Sequence, residues 1–332
     1  MLMDGYGRTA RDLRVSLTDR CNLRCTYCMP AEGLVWQPVE ETLTDDEMAR
    51  VIRIAVERLG ITKIRFTGGE PLLRGGLEGI VAAAAALTPR PELALTTNGL
   101  GLDKRVEALA AAGLDRVNVS LDSLDPQRYA QLARRDRLAD VLTGIEAADR
   151  VGLRPVKVNS VIMRGINEID IVPLARFCLE RGYELRFIEQ MPLGPKGEWD
   201  RDGMVTAVEI LGALRERFKL SPAEEARGAA PAQLWDVAAD DAQPGGRIGV
   251  IASVTHPFCG DCDRTRITAD GQVRTCLFSR TETDIRSILR GGGTDDDVVA
   301  AWTGAHRGKP RAHGIDEDGF VQPERTMSAI GG

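Results

Sequence analysis

Six of the seven cysteines fall into two triplets. Cys21, Cys25 and Cys28 are spaced C-x3-C-x2-C, and Cys259, Cys262 and Cys276 are spaced C-x2-C-x13-C. Three thiolates on one short loop form a soft ligand set. A structural zinc ion asks for four ligands, so each triplet is one short. A mixed zinc site from Cys25, Cys28, Cys259 and Cys262 would leave Cys21 and Cys276 unused, though zinc stays open as the alternative. Iron–sulfur ligation fits the count better, because a cubane held by three thiolates leaves one iron free to take a small molecule. Cys178 stands apart. It shares a helical face with Ile171, Leu174 and Ala175, where a free thiol packs as a small hydrophobe.

The elements that must position these thiols alternate along the chain. Leu13 to Thr18 reads as a strand that runs straight into the first cysteine loop. Thr44 and Glu47 make a capping box ahead of Met48, Val51, Ile52, Ala55, Val56 and Leu59 at helical spacing. Strands follow at Lys63–Thr67, Leu93–Thr97, Arg116–Asp122, Pro155–Ile162 and Glu184–Met191. Helical segments over 102–112, 138–151 and 169–181 separate the later ones. Strands alternating with helices mean parallel βαβ units. Six such units are too few to close an eightfold barrel. The expected fold class is therefore α/β, a partial (β/α)6 TIM-like barrel, with a doubly wound open sheet as the alternative. In either, ligands collect at the carboxyl ends of the strands, where Gly68-Gly69-Glu70-Pro71, Thr96-Thr97-Asn98, Ser120-Leu121-Asp122 and Gln190-Met191 sit.

Beyond residue 192 the pattern changes. A Gly/Pro-rich connection leads to a helix near Val208–Phe218, and Ser221–Gly246 reads as an irregular surface segment. Arg247–Val254 is a strand leading to Cys259, and Thr294 caps a helix with Asp295, Asp296 and Asp297 in its first turn. The expected division is a barrel core over 1–192 and a C-terminal α+β extension over 193–332. Ala329-Ile330-Gly331-Gly332 taken alone reads as a frayed end.

The 332 residues carry 43 Lys+Arg against 49 Asp+Glu, a net charge of −6. That balance argues against non-specific nucleic-acid binding, which runs on basic surface. No apolar run approaches a membrane span, and Met1–Leu13 has no apolar core of a secretory signal. The cysteines are then expected in a reducing, cytoplasmic setting, where a disulfide framework is disfavoured. Arg14, Lys63, Arg65 and Lys157 nonetheless lie on expected barrel strands, and Arg264 and Arg266 follow Cys262. An inward Lys or Arg is costly unless it meets an anion, and the arginine fork suits phosphate. An anion pocket of the size of a triphosphate site follows from the group.

The first loop, Cys21-Asn22-Leu23-Arg24-Cys25-Thr26-Tyr27-Cys28, resembles the radical S-adenosylmethionine signature, with Tyr27 at its aromatic position. Gly68-Gly69-Glu70-Pro71 resembles the strand-two motif of that superfamily. The second triplet, Arg264-Thr265-Arg266 and the terminal Gly331-Gly332 add a close resemblance, over nearly the whole chain, to the GTP 3′,8-cyclase family of molybdenum cofactor biosynthesis. That resemblance implies two [4Fe–4S] clusters, on Cys21, Cys25 and Cys28 and on Cys259, Cys262 and Cys276. It implies S-adenosylmethionine near Tyr27, Gly69, Glu70, Ser120 and Met191. It implies GTP contacts from Arg14, Lys63, Arg65, Thr96, Lys157, Arg264, Thr265 and Arg266, with Arg266 in the catalytic group. A 5′-deoxyadenosyl radical would take the ribose 3′ hydrogen, and the carbon radical would attack C8 of guanine. The tail through Gly331-Gly332 would reach the active site. The partners implied are GTP, an electron donor, the cyclic pyranopterin monophosphate synthase that receives the product, and a homodimeric assembly as an open option. No nucleic acid and no membrane are expected. Rival readings are a radical enzyme that modifies peptides with auxiliary clusters, and a non-enzymatic zinc or iron–sulfur structural protein. The chain also begins close to its first strand, leaving little ahead of it to pack on the barrel.

Overall fold

The computed structural model describes residues 1–315, 317 and 319–331. The polarity of its strands decides how they face. In β1 (Asp12–Ser16), β2 (Lys63–Thr67), β3 (Glu92–Thr97), β4 (Arg116–Ser120), β5 (Lys157–Ile162) and β6 (Glu184–Glu189), polar and apolar residues mostly take turns. Parallel strands covered on both faces normally read as continuous apolar runs. Here Leu13, Val15, Ile64, Phe66, Leu93, Leu95, Val117, Val119, Val158, Leu185 and Phe187 are all buried in one core. The alternate positions, among them Arg14, Arg65, Thr96, Ser120, Asn159 and Arg186, line a cavity on the other face.

The apolar face packs under helices α1 (Asp45–Glu57), α2 (Leu77–Ala85), α3 (Leu102–Ala111), α4 (Pro126–Ala133), α5 (Leu138–Arg150) and α6 (Ile171–Arg181). The capping box of α1 forms as expected, with Thr44 accepting from the Glu47 N–H and Glu47 from the Thr44 N–H. Cys178 is buried on α6 beside Leu174 and Ala175, as its spacing requires. Leu2 is also fully buried, and its N–H donates to the Leu59 carbonyl at 3.2 Å. The few residues ahead of β1 therefore do pack on the molecule, through buried Leu2 and Ala10 and through Arg8, which pairs with Asp4 and donates to the Pro310 and Arg311 carbonyls.

The later chain adds α7 (Ala207–Arg215), β7 (Leu220–Pro222), β8 (Gln233–Val237), β9 (Gly246–Ile251), β10 (Arg264–Ile267), β11 (Gln272–Arg274), β12 (Thr283–Asp284), α8 (Arg286–Arg290), α9 (Asp295–Arg307) and α10 (Met327–Ile330). Its strands join both edges of the first six, in the order β12-β11-β10-β1-β2-β3-β4-β5-β6-β9-β8-β7. β10 lies parallel to β1 and β9 parallel to β6, so the six expected parallel strands are flanked by one more on each side. No pairing joins β9 to β10 among the described residues, and the barrel stays open along that seam. Residues 252–263 connect β9 to β10 across it, carrying Cys259 and Cys262. Segment 221–246, expected to be irregular, contributes β8, antiparallel to β9, with β7 beside it. The alternation of Gln233-Leu234-Trp235-Asp236-Val237 builds that strand inside an otherwise Ala/Pro/Asp/Gly-rich stretch.

Candidate active site

The first cysteine loop is seated by backbone bonds. The N–H groups of Arg24 and Thr26 donate to the carbonyls of Ala133 and Leu132, at the end of α4, at 3.1 and 2.9 Å. The Arg24 guanidinium donates to the Cys21 and Leu23 carbonyls and stacks over Trp36. The turn after β2 closes on the stem of the loop, with Gly69 N–H donating to Thr18 O and Glu70 N–H to Arg20 O. A Cβ on Gly69 would lie 2.3 Å from the Arg20 carbonyl oxygen, so no other residue allows this approach. The Glu70 carboxylate is fully buried behind the cavity wall. It accepts from Thr97 Oγ1, the Asn98 N–H and the Leu72 N–H, and burial pushes its pKa up to about 7 against those bonds. Asn98 in turn donates to Asn22 and toward the Cys21 sulfur.

Tyr27 O–H donates to Asp122 at 2.7 Å, and Asp122 also accepts the Val161 N–H at 2.8 Å. Burial raises the Asp122 carboxyl to about 6. Tyr27, Gly69, Ser120 and Met191 all face the cavity.

The strand register sets the arginines in a row. Arg14 is level with Arg266 on one side and with Arg65 on the other. Neighbouring strands are about 4.8 Å apart, so three like charges stand side by side. Arg14 keeps one carboxylate, Asp12, at 3.2 Å. The Arg65 Nε has no hydrogen-bond partner and is buried, and burial with the Arg14 charge holds its pKa well down. Arg266 is pulled down to about 9 by burial, Arg14 and Arg264. Its Nη1 donates to the Gly331 carbonyl at 2.5 Å. Gly331 itself has φ +85°, and a Cβ there would meet Ser16 and Thr67 at 2.8 and 3.0 Å. The tail therefore reaches the carboxyl ends of β1 and β2. The expectation for Gly332 lies outside the described residues.

Other expected substrate residues are placed differently. Lys63, level with Asp12, is exposed and does not line the cavity. Lys157 is paired to Glu184 at 2.9 Å below the cavity lining. Thr265 points the other way, because it alternates with Arg264 and Arg266. Its side chain is buried and accepts from Trp302 Nε1 at 2.9 Å. Arg186 was missed and lines the cavity, bridged to Glu184 at 2.5 Å. Its signal was available, since it holds the polar parity of Glu184-Leu185-Arg186-Phe187.

Cys259 and Cys262 sit on the seam-crossing connection and Cys276 just after β11, so the fold brings both triplets to one cavity of about 320 Å³. All six thiols line it together with Arg14, Arg65, Arg186, Arg264 and Arg266. The donor set fits the clusters. Each loop offers only thiols, and burial pushes Cys21 and Cys25 upward and Cys28 up to about 12, so their ionisation belongs to metal binding. Among the described residues no group of three or more His, Cys, Asp or Glu is placed to hold a single metal ion. A cluster brings its own sulfides and asks only thiolates of the protein.

A C-x3-C-x2-C thiol triplet on the loop after the first parallel strand, at the carboxyl end of the sheet, defines a class, the radical S-adenosylmethionine enzymes. Residues 15–178 match the model of the Radical SAM superfamily, and residues 183–315 match that of Molybdenum Cofactor Synthesis C. Among solved structures, Streptococcus suis SuiB bound to its precursor peptide SuiA is similar in fold. The TM-score is 0.60 at 15% identity, covering 90% of this chain and 67% of that one. The chain is 63% identical over its whole length to a GTP 3′,8-cyclase of Corynebacterium glutamicum, covering 89% of that protein. It is 60% identical to one of Mycolicibacterium smegmatis, covering 92%. The chain belongs to the GTP 3′,8-cyclase family.

Proposed function

We propose that the chain converts GTP to (8S)-3′,8-cyclo-7,8-dihydroguanosine 5′-triphosphate, the first step of molybdenum cofactor biosynthesis. The observation that carries this reading is the row Arg266–Arg14–Arg65 between two thiol triplets on one cavity. Cys21, Cys25 and Cys28 would hold one [4Fe–4S] cluster, and Cys259, Cys262 and Cys276 a second. Charged with S-adenosylmethionine and reduced by one electron, the first supplies a 5′-deoxyadenosyl radical able to take the ribose 3′ hydrogen. The chain's own residues do the rest by position. Arg14, Arg65, Arg186 and Arg266 take the triphosphate charge, which relieves their mutual repulsion. Arg264 stacks 4.2 Å over Phe258 beside the second triplet, at the guanine end. The Tyr27–Asp122 bond, Gly69, Ser120 and Met191 shape the S-adenosylmethionine end. The tail at Gly331 covers Arg266 and keeps water from the sugar.

The division of labour is a barrel core over 1–192 for the radical source and an extension over 193–332 for the substrate. Among the described residues no helix is long and apolar enough to cross a membrane. A cytoplasmic setting, an external one-electron donor and delivery to the cyclic pyranopterin monophosphate synthase complete the proposal. A peptide substrate is not favoured, because the likeness to SuiB is one of fold at 15% identity. The test is anaerobic reconstitution followed by reductant, S-adenosylmethionine and GTP. About eight irons per chain and GTP-dependent 5′-deoxyadenosine are expected. Deoxyadenosine release indifferent to GTP overturns the substrate assignment.

A further inference from the structure

Lys309 is 3% exposed. Its ammonium donates to the Cys262 carbonyl at 3.0 Å, to the Arg264 carbonyl at 2.8 Å and to the Cys262 sulfur at 3.4 Å. All three donors are thereby used, and no carboxylate is paired with it among the described residues. A buried ammonium without a counter-charge is costly. Among the described residues the neighbour able to carry negative charge is the Cys262 sulfur, which Arg264 Nη2 also approaches at 3.5 Å. Cys259 and Cys276 receive no hydrogen bond from an ammonium or guanidinium among the described residues, so Cys262 is the thiol of the second triplet that cations bond directly.

The segment that carries Lys309 is fixed from elsewhere. It follows α9, which is pinned by the Trp302–Thr265 bond, and the Lys309 N–H donates to the His306 carbonyl. Arg8 bonds the Pro310 and Arg311 carbonyls and the Cys259 carbonyl. Substitution of the Lys309 side chain therefore leaves the strap in place.

We infer that Lys309 is a positioning residue that orients the Cys262 sulfur and holds the second cluster easier to reduce than its three thiolates alone would make it. The inference rests on the reading of Cys259, Cys262 and Cys276 as cluster ligands. Hydrogen bonds and positive charge at a ligand sulfur stabilise the form that has gained an electron. The electron comes from an external one-electron reductant, and no bond in the protein changes.

The experiment isolates the second cluster in a Cys21→Ala/Cys25→Ala/Cys28→Ala background of the full chain and follows its reduction by electron paramagnetic resonance during an anaerobic redox titration. Lys309→Met is expected to shift the reduction equilibrium about tenfold toward the oxidised form, or ~59 mV for one electron. Lys309→Arg, which keeps the charge, is expected within about threefold of the parent, and Lys309→Gln, which keeps a donor without charge, between the two. A Lys309→Met potential equal to the parent's overturns the inference. If that variant loses its iron, equal potentials in Lys309→Arg and Lys309→Gln overturn it instead. A background that shows no iron–sulfur signal with Lys309 intact refutes the cluster reading, a distinct failure.

Discussion

Replacing Arg266 by methionine removes a buried cation and keeps most of its aliphatic volume. Burial and the charges of Arg14 and Arg264 bring its pKa from 12.5 to about 9. At about 1.4 kcal/mol per unit, this is roughly 5 kcal/mol acting against the folded, ligand-free chain at neutral pH. The unfolded chain carries the same charge in water without that penalty. The substitution also gives up the bond to the Gly331 carbonyl, a charge-assisted contact worth about 1.5–3 kcal/mol. The difference leaves the ligand-free variant more stable by about 2–3 kcal/mol, a rise in Tm of roughly 3–4 °C. GTP binding moves the other way. Loss of one charge-assisted contact to the triphosphate weakens it by about 10–100-fold. Thermal unfolding of anaerobic protein with and without GTP, paired with calorimetric titration, reads both quantities. A lower Tm for the ligand-free variant together with unchanged GTP affinity would make Arg266 a structural cation and not one awaiting an anion.

Burial raises Glu70 from 4.5 to about 7, so the stability it confers on the ligand-free protein is complete below about pH 4.5 and lost as pH rises through 7. Urea unfolding should show Glu70 contributing a fall of about 3 kcal/mol over that interval, beside a further fall from Asp122, and Glu70→Gln should remove the Glu70 share alone; an unchanged slope counts against a buried titrating Glu70. Arg325 holds the segment before the tail through Asp270 at 2.8 Å and Glu282 at 2.8 Å. Arg325→Ala should speed amide exchange over 326–331 about tenfold or more and lower GTP turnover with the iron content intact. Exchange at the wild-type rate would show that the tail is anchored elsewhere. Cys178→Ala should cost about 1 kcal/mol and leave iron and sulfide unchanged, while Cys21→Ala should lose about four irons. Iron loss from the Cys178 variant would contradict its placement in the core.

Much of this was legible in the sequence because it depends on local pattern. The six strands show as alternating runs, α1 by its capping box, and Cys178 by helical spacing. The first cysteine loop stands out by its spacing, since all three thiols lie within eight residues, while spacing alone left zinc open and the resemblance implied the cluster. What escaped depends on distant pairing. Nothing local says that Arg264-Thr265-Arg266 is a strand beside β1, and only that register puts Arg266 level with Arg14 and turns Thr265 toward Trp302. Nor does local pattern separate Lys157, neutralised by Glu184, from Arg65, left without a partner for its Nε. The helix α4 was readable and missed, for Asp125 caps it at the Arg128 N–H with Pro126 in the first turn. Its end is what seats the cysteine loop.

The proposed function requires that one cavity set a radical source against the ribose of GTP. The measurement that tests it most directly is turnover of GTP carrying deuterium at the ribose 3′ carbon, with mass analysis of the 5′-deoxyadenosine released. One deuterium per molecule of deoxyadenosine, formed together with a 3′,8-cyclised nucleotide, is the predicted result. Deoxyadenosine free of deuterium, formed at the same rate with or without the nucleotide, would contradict it.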